Sequence, residues 1–162
     1  MKVLGFVALF FLAVATALLV AGQLGLLTGR VPRDLGIQNS RLKPPSQTPN
    51  SVSSQADLYP DHPQKDYARI APFQFSGDGE KAMARIVEIL KRSDRTVVVT
   101  QDAGYISAQC STKFLKFTDD IEFWLDKSAG VIHVRSASRL GRKDFNVNRE
   151  RVESIRAQFT TN

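Results

Sequence analysis

Cysteine occurs once, at Cys110, and histidine twice, at His62 and His133. A single thiol excludes an internal disulfide and a cysteine-rich zinc site, so cysteine usage says nothing about the redox compartment. On a strand, Cys110 is expected as a small core residue rather than a nucleophile. Two histidines so far apart exclude the two-histidine helical metal motif, and no metal or cofactor is expected. A phosphate-binding glycine loop, a dinucleotide fingerprint and a Gly-x-Ser-x-Gly elbow are also missing. Their absence removes the usual signatures of nucleotide enzymes and serine hydrolases. No spacing in the chain requests a Ser–His–acid set around His133. Acidic residues are in short supply too, 16 against 22 basic, for a formal net charge of +6. That surplus suits simple solubility, or a domain held close to anionic headgroups. Nucleic acid ranks last as a partner, because aromatic positions for base stacking are few.

What the chain does have is one long apolar run. From Val3 to Gly29 there are 27 consecutive residues without a charge. A helix needs about 20 such residues to cross the hydrocarbon core of a bilayer. Ala13-Val14-Ala15 offers a small-residue cleavage site, but the apolar run continues well beyond it, which favours a retained anchor over a cleaved signal. Residues 1–30 are therefore expected to be a transmembrane anchor, with residues 3–27 in contact with lipid. Its direction is contested. Arg30, Arg33, Arg41 and Lys43 follow the span and only Lys2 precedes it, which by the positive-inside rule puts the domain in the cytoplasm. A short basic start followed at once by a long apolar run is the layout of an exported signal-anchor, and the exported (periplasmic) side is the expectation taken here.

Residues 31–68 carry six of the seven prolines and are rich in Ser, Gln, Asn and Asp. They read as a linker, either lying over the domain or spacing it from the bilayer. Residues 69–162 carry the periodic signal. Ile70 to Phe75 alternates, with Pro72 marking an edge strand. Asp78 is a candidate N-cap for a helix running to about Arg92, whose Ala82, Ile86, Ile89 and Leu90 share one face. Thr96–Thr100, Tyr105–Cys110, Phe117–Leu125 and Val131–Ser138 read as four strands. Val152, Ile155 and Phe159 form the stripe of a closing helix, with Asn146 or Asn148 as its N-cap. The order is strand, helix, four strands, helix. It predicts an α+β two-layer sandwich: an antiparallel sheet of about five strands with two helices on one face.

Several of these segments carry a family resemblance. They are Pro49-Asn50-Ser51-Val52-Ser53-Ser54-Gln55-Ala56, Phe117-Thr118-Asp119-Asp120-Ile121-Glu122-Phe123, Val134 through Gly141, and Asp144 through Arg149 with Arg151-Val152-Glu153. Together they resemble the domain-of-unknown-function family 1499 over about residues 40–160. The resemblance implies a membrane-associated bacterial or plastid-type protein with no established catalytic residue. It also implies two cysteines flanking a Pro-Asn step. Pro45 and Ser51 stand in those places here, so a disulfide or metal role for that segment is ruled out.

The richest chemical constellation is the hairpin over residues 117–139. Facing Phe123 with Val134 and Leu125 with Ile132 buries one apolar face and leaves a four-residue loop, Lys127–Gly130. The same register sets Glu122 opposite Arg135, Trp124 opposite His133 and Asp120 opposite Ala137, on the face away from the helices. One reading is a cross-strand ion pair beside a Trp–His stack. The other is a ligand site, with Asp119, Asp120 and Glu122 as acceptors, Arg135 and Arg139 gripping an anion, Trp124 as a flat platform and His133 beside it. A second basic group, Arg139, Arg142, Lys143, Arg149 and Arg151, surrounds a helix start. In it Arg149 can hold an anion or pair with Glu153. The leading functional expectation is a membrane-tethered binding or accessory domain without catalysis, for an anionic small molecule, a lipid headgroup or a membrane-protein partner. The alternatives are a hydrolase-like enzyme using Asp119, Asp120 or Glu122, or a structural partner of another membrane protein.

Overall fold

The computed structural model describes residues 2–161. It opens with α1 (Lys2–Gln23), followed by loose turns to Thr28. From Val3 to Val20 the helix is exposed, and only its last turn touches the rest of the chain, where Gly22 is buried. Then come β1 (Ser51–Ser53), a single 3-10 turn at Ala56–Leu58, the short α2 (Lys65–Ala68) and β2 (Phe73–Gln74). The remainder is α3 (Gly79–Arg92), β3 (Thr96–Gln101), β4 (Tyr105–Ser111), β5 (Thr118–Asp126), β6 (Val131–Ser138) and α4 (Val147–Thr160).

The strands form one six-stranded antiparallel sheet in the order β1-β6-β5-β4-β3, with β2 also on β6. The expected α+β arrangement is therefore present, with one strand more than periodicity suggested. The strand expected over Ile70–Phe75 shrinks to Phe73–Gln74, pairing Phe73 with Ile132. β1 takes the same edge of β6 further along, pairing Ser51–Ser53 with Ala137–Arg135. Two short strands thus close an edge that would otherwise expose unpaired backbone groups.

Both longer helices of the domain pack on one face. Met83, Ile86, Ile89 and Leu90 of α3 and Val152, Ile155 and Phe159 of α4 meet Ile106, Ile121, Phe123, Ile132 and Val134 in a single core. Phe73 sits edge-on to both Phe123 and Phe159, at 5.5 Å between ring centroids in each case. Each such buried side chain contributes about 1.5–3 kcal/mol by leaving water. Cys110 is buried in this core, and burial pushes its thiol pKa up.

The helix starts are chemically distinct. Asp78 caps α3 as expected, its carboxylate accepting from the amides of Glu80 (2.8 Å) and Lys81 (3.3 Å). Gly79 follows it in close packing, since a Cβ there would lie 2.8 Å from a methyl of Leu125 and would make that side chain shift. For α4 the N-cap position is Asn146, one of the two expected, but the capping bonds come from Asp144. Asn146 flanks the helix in a left-handed conformation with no side-chain cap bond. The Asp144 carboxylate instead accepts from the amides of Asn146 and Asn148. A carboxylate is the better group there, because it also meets the positive end of the helix dipole.

The Pro-rich segment lies over the domain, the first of the two arrangements the sequence left open. Residues 34–55 run as a strap across the sheet face opposite the helices and end in β1. Its Leu42 and Pro45 are buried, and the Gln55 side chain, itself buried, accepts from the Leu42 amide at 2.8 Å.

Candidate functional site

The β5–β6 register is the one expected: Glu122 opposite Arg135, Trp124 opposite His133, Asp120 opposite Ala137. Strand alternation puts these side chains on the face under the strap, so they are not an open surface. Glu122 is fully buried. Its Oε1 accepts from the backbone amide of Gly36 in the strap and from the Tyr105 hydroxyl, both at 2.7 Å. Its Oε2 has no hydrogen bond, and the nearest cation is Arg135 Nη1 at 3.6 Å. Burial first, and the Glu122 charge second, push the Tyr105 hydroxyl pKa far up, so it stays a donor.

Arg135 is buried as well, and its Nε donates to the carbonyl of Pro44 at 3.3 Å. Burial draws its pKa down, against the pull of Glu122, Asp120 and Asp34. Beside it, Arg139 grips both oxygens of Asp120, Nε to Oδ2 at 2.8 Å and Nη2 to Oδ1 at 2.7 Å, with side-chain exposures of 4% and 5%. On the outer side of the strap, Lys43 bonds Asp34 at 2.7 Å, which lowers the Asp34 pKa.

Trp124 stacks on His133 with ring centroids 5.3 Å apart. The Ser54 hydroxyl lies 3.0 Å from His133 Nδ1 and accepts from the Val134 amide at 2.9 Å. A neutral ring with its proton on Nε2 satisfies this arrangement. Burial lowers the His133 pKa; Asp126, 3.8 Å away, opposes that shift only weakly.

Asp119 and Arg149 stand apart from this group. Asp119 alternates to the helix face, where Arg151 Nη2 donates to it at 2.5 Å. Arg151 also reaches Ser136 and Asn148, and the Ser136 hydroxyl donates to Asn148 Oδ1 at 2.6 Å. The Asn148 amide nitrogen lies within bonding range of the Asn50 carbonyl, Ser138 and Asp144, and Tyr67 donates to the same Asp144. Arg149, which the sequence paired with Glu153 or an anion, donates instead to the carbonyls of Arg69 and Tyr67. Glu153 pairs with Arg156.

Two polar networks therefore sit back to back across β5 and β6. Asp120, Glu122, Trp124, His133, Arg135 and Arg139 belong to the one under the strap. Tyr105, Gly36, Pro44 and Ser54 complete it, and none of them was singled out in the sequence. Tyr105 left a trace there as an aromatic at the strap-side position of a period-2 strand, and Ser54 only as part of a segment carrying the family resemblance. Among the described residues no group of three His, Cys, Asp or Glu side chains converges as a metal site. A surface cleft of about 440 Å³ lies elsewhere, lined by Phe75, Lys81, Arg85 and Phe159 among others.

Residues 41–159 match the family model of DUF1499, a protein of unknown function, and the chain belongs to that family. The match starts inside the strap and ends near the close of α4, so it takes in both polar networks apart from the Gly36 amide. No curated protein matches the chain, and no solved structure does.

Proposed function

We propose that this DUF1499 chain is a membrane-tethered accessory domain that binds rather than catalyses, held to lipid through residues 3–27. The observation that carries the reading is α1 itself. Its 22 residues span about 33 Å at 1.5 Å per residue, enough for a hydrocarbon core of about 30 Å. Within Val3–Gln23 the most apolar 18-residue window has a mean hydropathy of 2.8, and none of that window is buried against the domain. An apolar helix left unburied in this way has lipid as its natural surroundings.

Binding is favoured over hydrolysis by the state of the carboxylates. Asp120 has both oxygens engaged by Arg139, Asp119 is held by Arg151, and Glu122 is sealed under the strap. A general acid or base needs reach to a substrate proton. Arg135 and Arg139 are committed in the same way, so an anionic small molecule would reach them only after the strap lifts. A membrane-protein partner or a lipid surface needs no such opening. The exported side remains the proposed location of residues 41–162.

Carbonate washing of membranes carrying the full chain tests the anchor. The chain is expected to stay in the pellet, and Leu12→Arg with Val14→Arg to release it. Release of the wild type, or a mature mass lacking the apolar run, overturns the reading. A phosphatase fused after Asn162 should be active if the domain is exported; a fluorescent cytoplasmic reporter in its place should then stay dark.

A further inference from the structure

The antiparallel strands gather two loops at one end of the sheet. The β4–β5 loop (residues 112–117) leaves where Ser111 pairs with Thr118, and the β6–α4 loop (residues 139–146) leaves where Ser138 pairs with Asp119. The Arg139 amide donates to the Thr118 carbonyl at 3.2 Å, which ties the loops together.

This end is apolar where a soluble domain is normally polar. Phe145 is 83% exposed, Phe114 62%, Leu140 43% and Phe117 37%. Phe145 also holds a positive φ of 52°, a left-handed conformation that is unfavourable for an aromatic residue, and the exposed ring gains little packing in return. Lys113, Lys116, Arg142 and Lys143 lie among these rings, and none of them forms an ion pair among the described residues. The neighbouring carboxylates Asp119, Asp120 and Asp144 are buried and already bonded inward.

The apolar helix ends on the same loops. Gln23 donates to the Phe114 carbonyl at 2.9 Å, and a Cβ on Gly22 would sit 2.7 Å from the Leu115 carbonyl oxygen. Further along, a Cβ on Gly29 would lie 2.7 Å from Arg139 Cβ and 3.1 Å from Leu140 Cγ. The point where α1 meets the domain is therefore the point where unpaired cations and exposed rings concentrate.

We propose that this end of the sheet is a second membrane contact. In it Phe114, Phe117, Leu140 and Phe145 enter the interfacial layer of an anionic bilayer, and the four basic side chains meet lipid phosphates. The proposal rests on α1 spanning that bilayer. Aromatic rings suit the headgroup level, and basic side chains beside them add attraction for anionic lipid. A surface of this kind fits lipid better than a protein partner, because its apolar groups are dispersed among like charges and form no closed pocket. The domain then lies flat on the membrane and does not swing on a tether.

The test uses the full chain reconstituted into vesicles. Wild type carries one tryptophan, Trp124, about 20 Å along β5 from Thr118 at a rise of about 3.3 Å per residue, and serves as the reference. Phe145→Trp adds an indole at the proposed contact, on a side chain exposed enough to tolerate it. With brominated phosphatidylcholine containing about a third phosphatidylglycerol, the added emission is expected to fall at least twofold, and wild-type emission to change little. Reversing Lys113, Lys116, Arg142 and Lys143 to Glu should restore the emission; at roughly fivefold in binding per basic group lost, that change is large enough to undock the surface. Chain that co-floats with the vesicles but shows no quenching of the added indole overturns the contact and leaves the anchor standing. Equal quenching with phosphatidylcholine alone overturns the anionic preference. Chain that does not float overturns the anchor, and the contact with it.

Discussion

Replacing Arg139 by alanine separates a structural ion pair from a ligand grip. Arg139 and Asp120 are bonded through both oxygens and are nearly out of water, at 4% and 5% side-chain exposure. Removing the guanidinium leaves a buried carboxylate without its bonded countercharge, in the field of Arg135. Breaking a buried pair in this way costs about 3–5 kcal/mol. For a domain of this size each kcal/mol moves the midpoint by about 3–6 °C, so Arg139→Ala should lower Tm by about 10–30 °C. Calorimetry of the full chain in mild detergent is the assay. Asp120→Leu combined with Arg139→Met should recover most of the loss, because it removes both charges and keeps the volume. The exposed pair Lys127–Glu80, at 2.8 Å with side-chain exposures of 70% and 56%, is the control, and Lys127→Ala should leave Tm unchanged within error. A shift below about 3 °C for Arg139→Ala, or a double variant no better than the single one, would refute the reasoning. It would mean that Asp120 finds solvent and that the strap does not seal this face.

Two further outcomes follow from other parts of the molecule. His133 has its pKa lowered from 6.5 by burial, so the unfolded chain binds that proton more readily than the folded one. Its contribution to stability is complete above about pH 6.5 and is lost as pH falls through the folded value; Tm should drop from pH 7.5 to 5.5 more steeply in wild type than in His133→Gln, and equal slopes would remove His133 as the cause. Gly22→Leu places side-chain atoms where the backbone of Leu115 already stands, with the nearest approach 2.7 Å even for a Cβ. The last turn of α1 should part from the β4–β5 loop, so that hydrogen exchange at residues 112–117 rises several-fold over wild type while the core strands stay protected. An unchanged exchange pattern would show that this contact does not order the loop.

The β5–β6 hairpin was legible because period 2 and a four-residue loop leave a single register that buries Phe123, Leu125, Ile132 and Val134 together. The same alternation places Asp119 on the helix face. Grouping it with Asp120 and Glu122 followed adjacency in sequence, and strand geometry overrides adjacency. Arg149 illustrates a different failure: an i,i+4 partner on an exposed helix is a weak competitor, and two free carbonyls at the end of α2 hold the guanidinium instead. β1 and the strap left no periodic mark. They dock through main-chain groups, the Gly36 amide and the Pro44 carbonyl, and through isolated side chains such as Ser54 and Gln55. Backbone hydrogen bonding is available to any residue type, so composition alone described this segment as a linker. The buried state of Glu122 and Arg135 was hidden for the same reason, because what covers them lies 86 and 91 residues away in the chain.

That separation has a consequence for how the protein is made. The strap is synthesised immediately after the apolar helix, but the strands it covers emerge last, and its three polar anchors on them span 79 to 91 residues. Throughout most of translation the segment has nothing to rest on. Its prolines, serines and glutamines let it wait in water without collapsing or pairing with another chain. Closure of the sheet face is therefore a late step, completed against a segment made near the start of synthesis. Contacts this distant in sequence form slowly, so truncating the nascent chain before β6 should yield a species whose strap is open to protease.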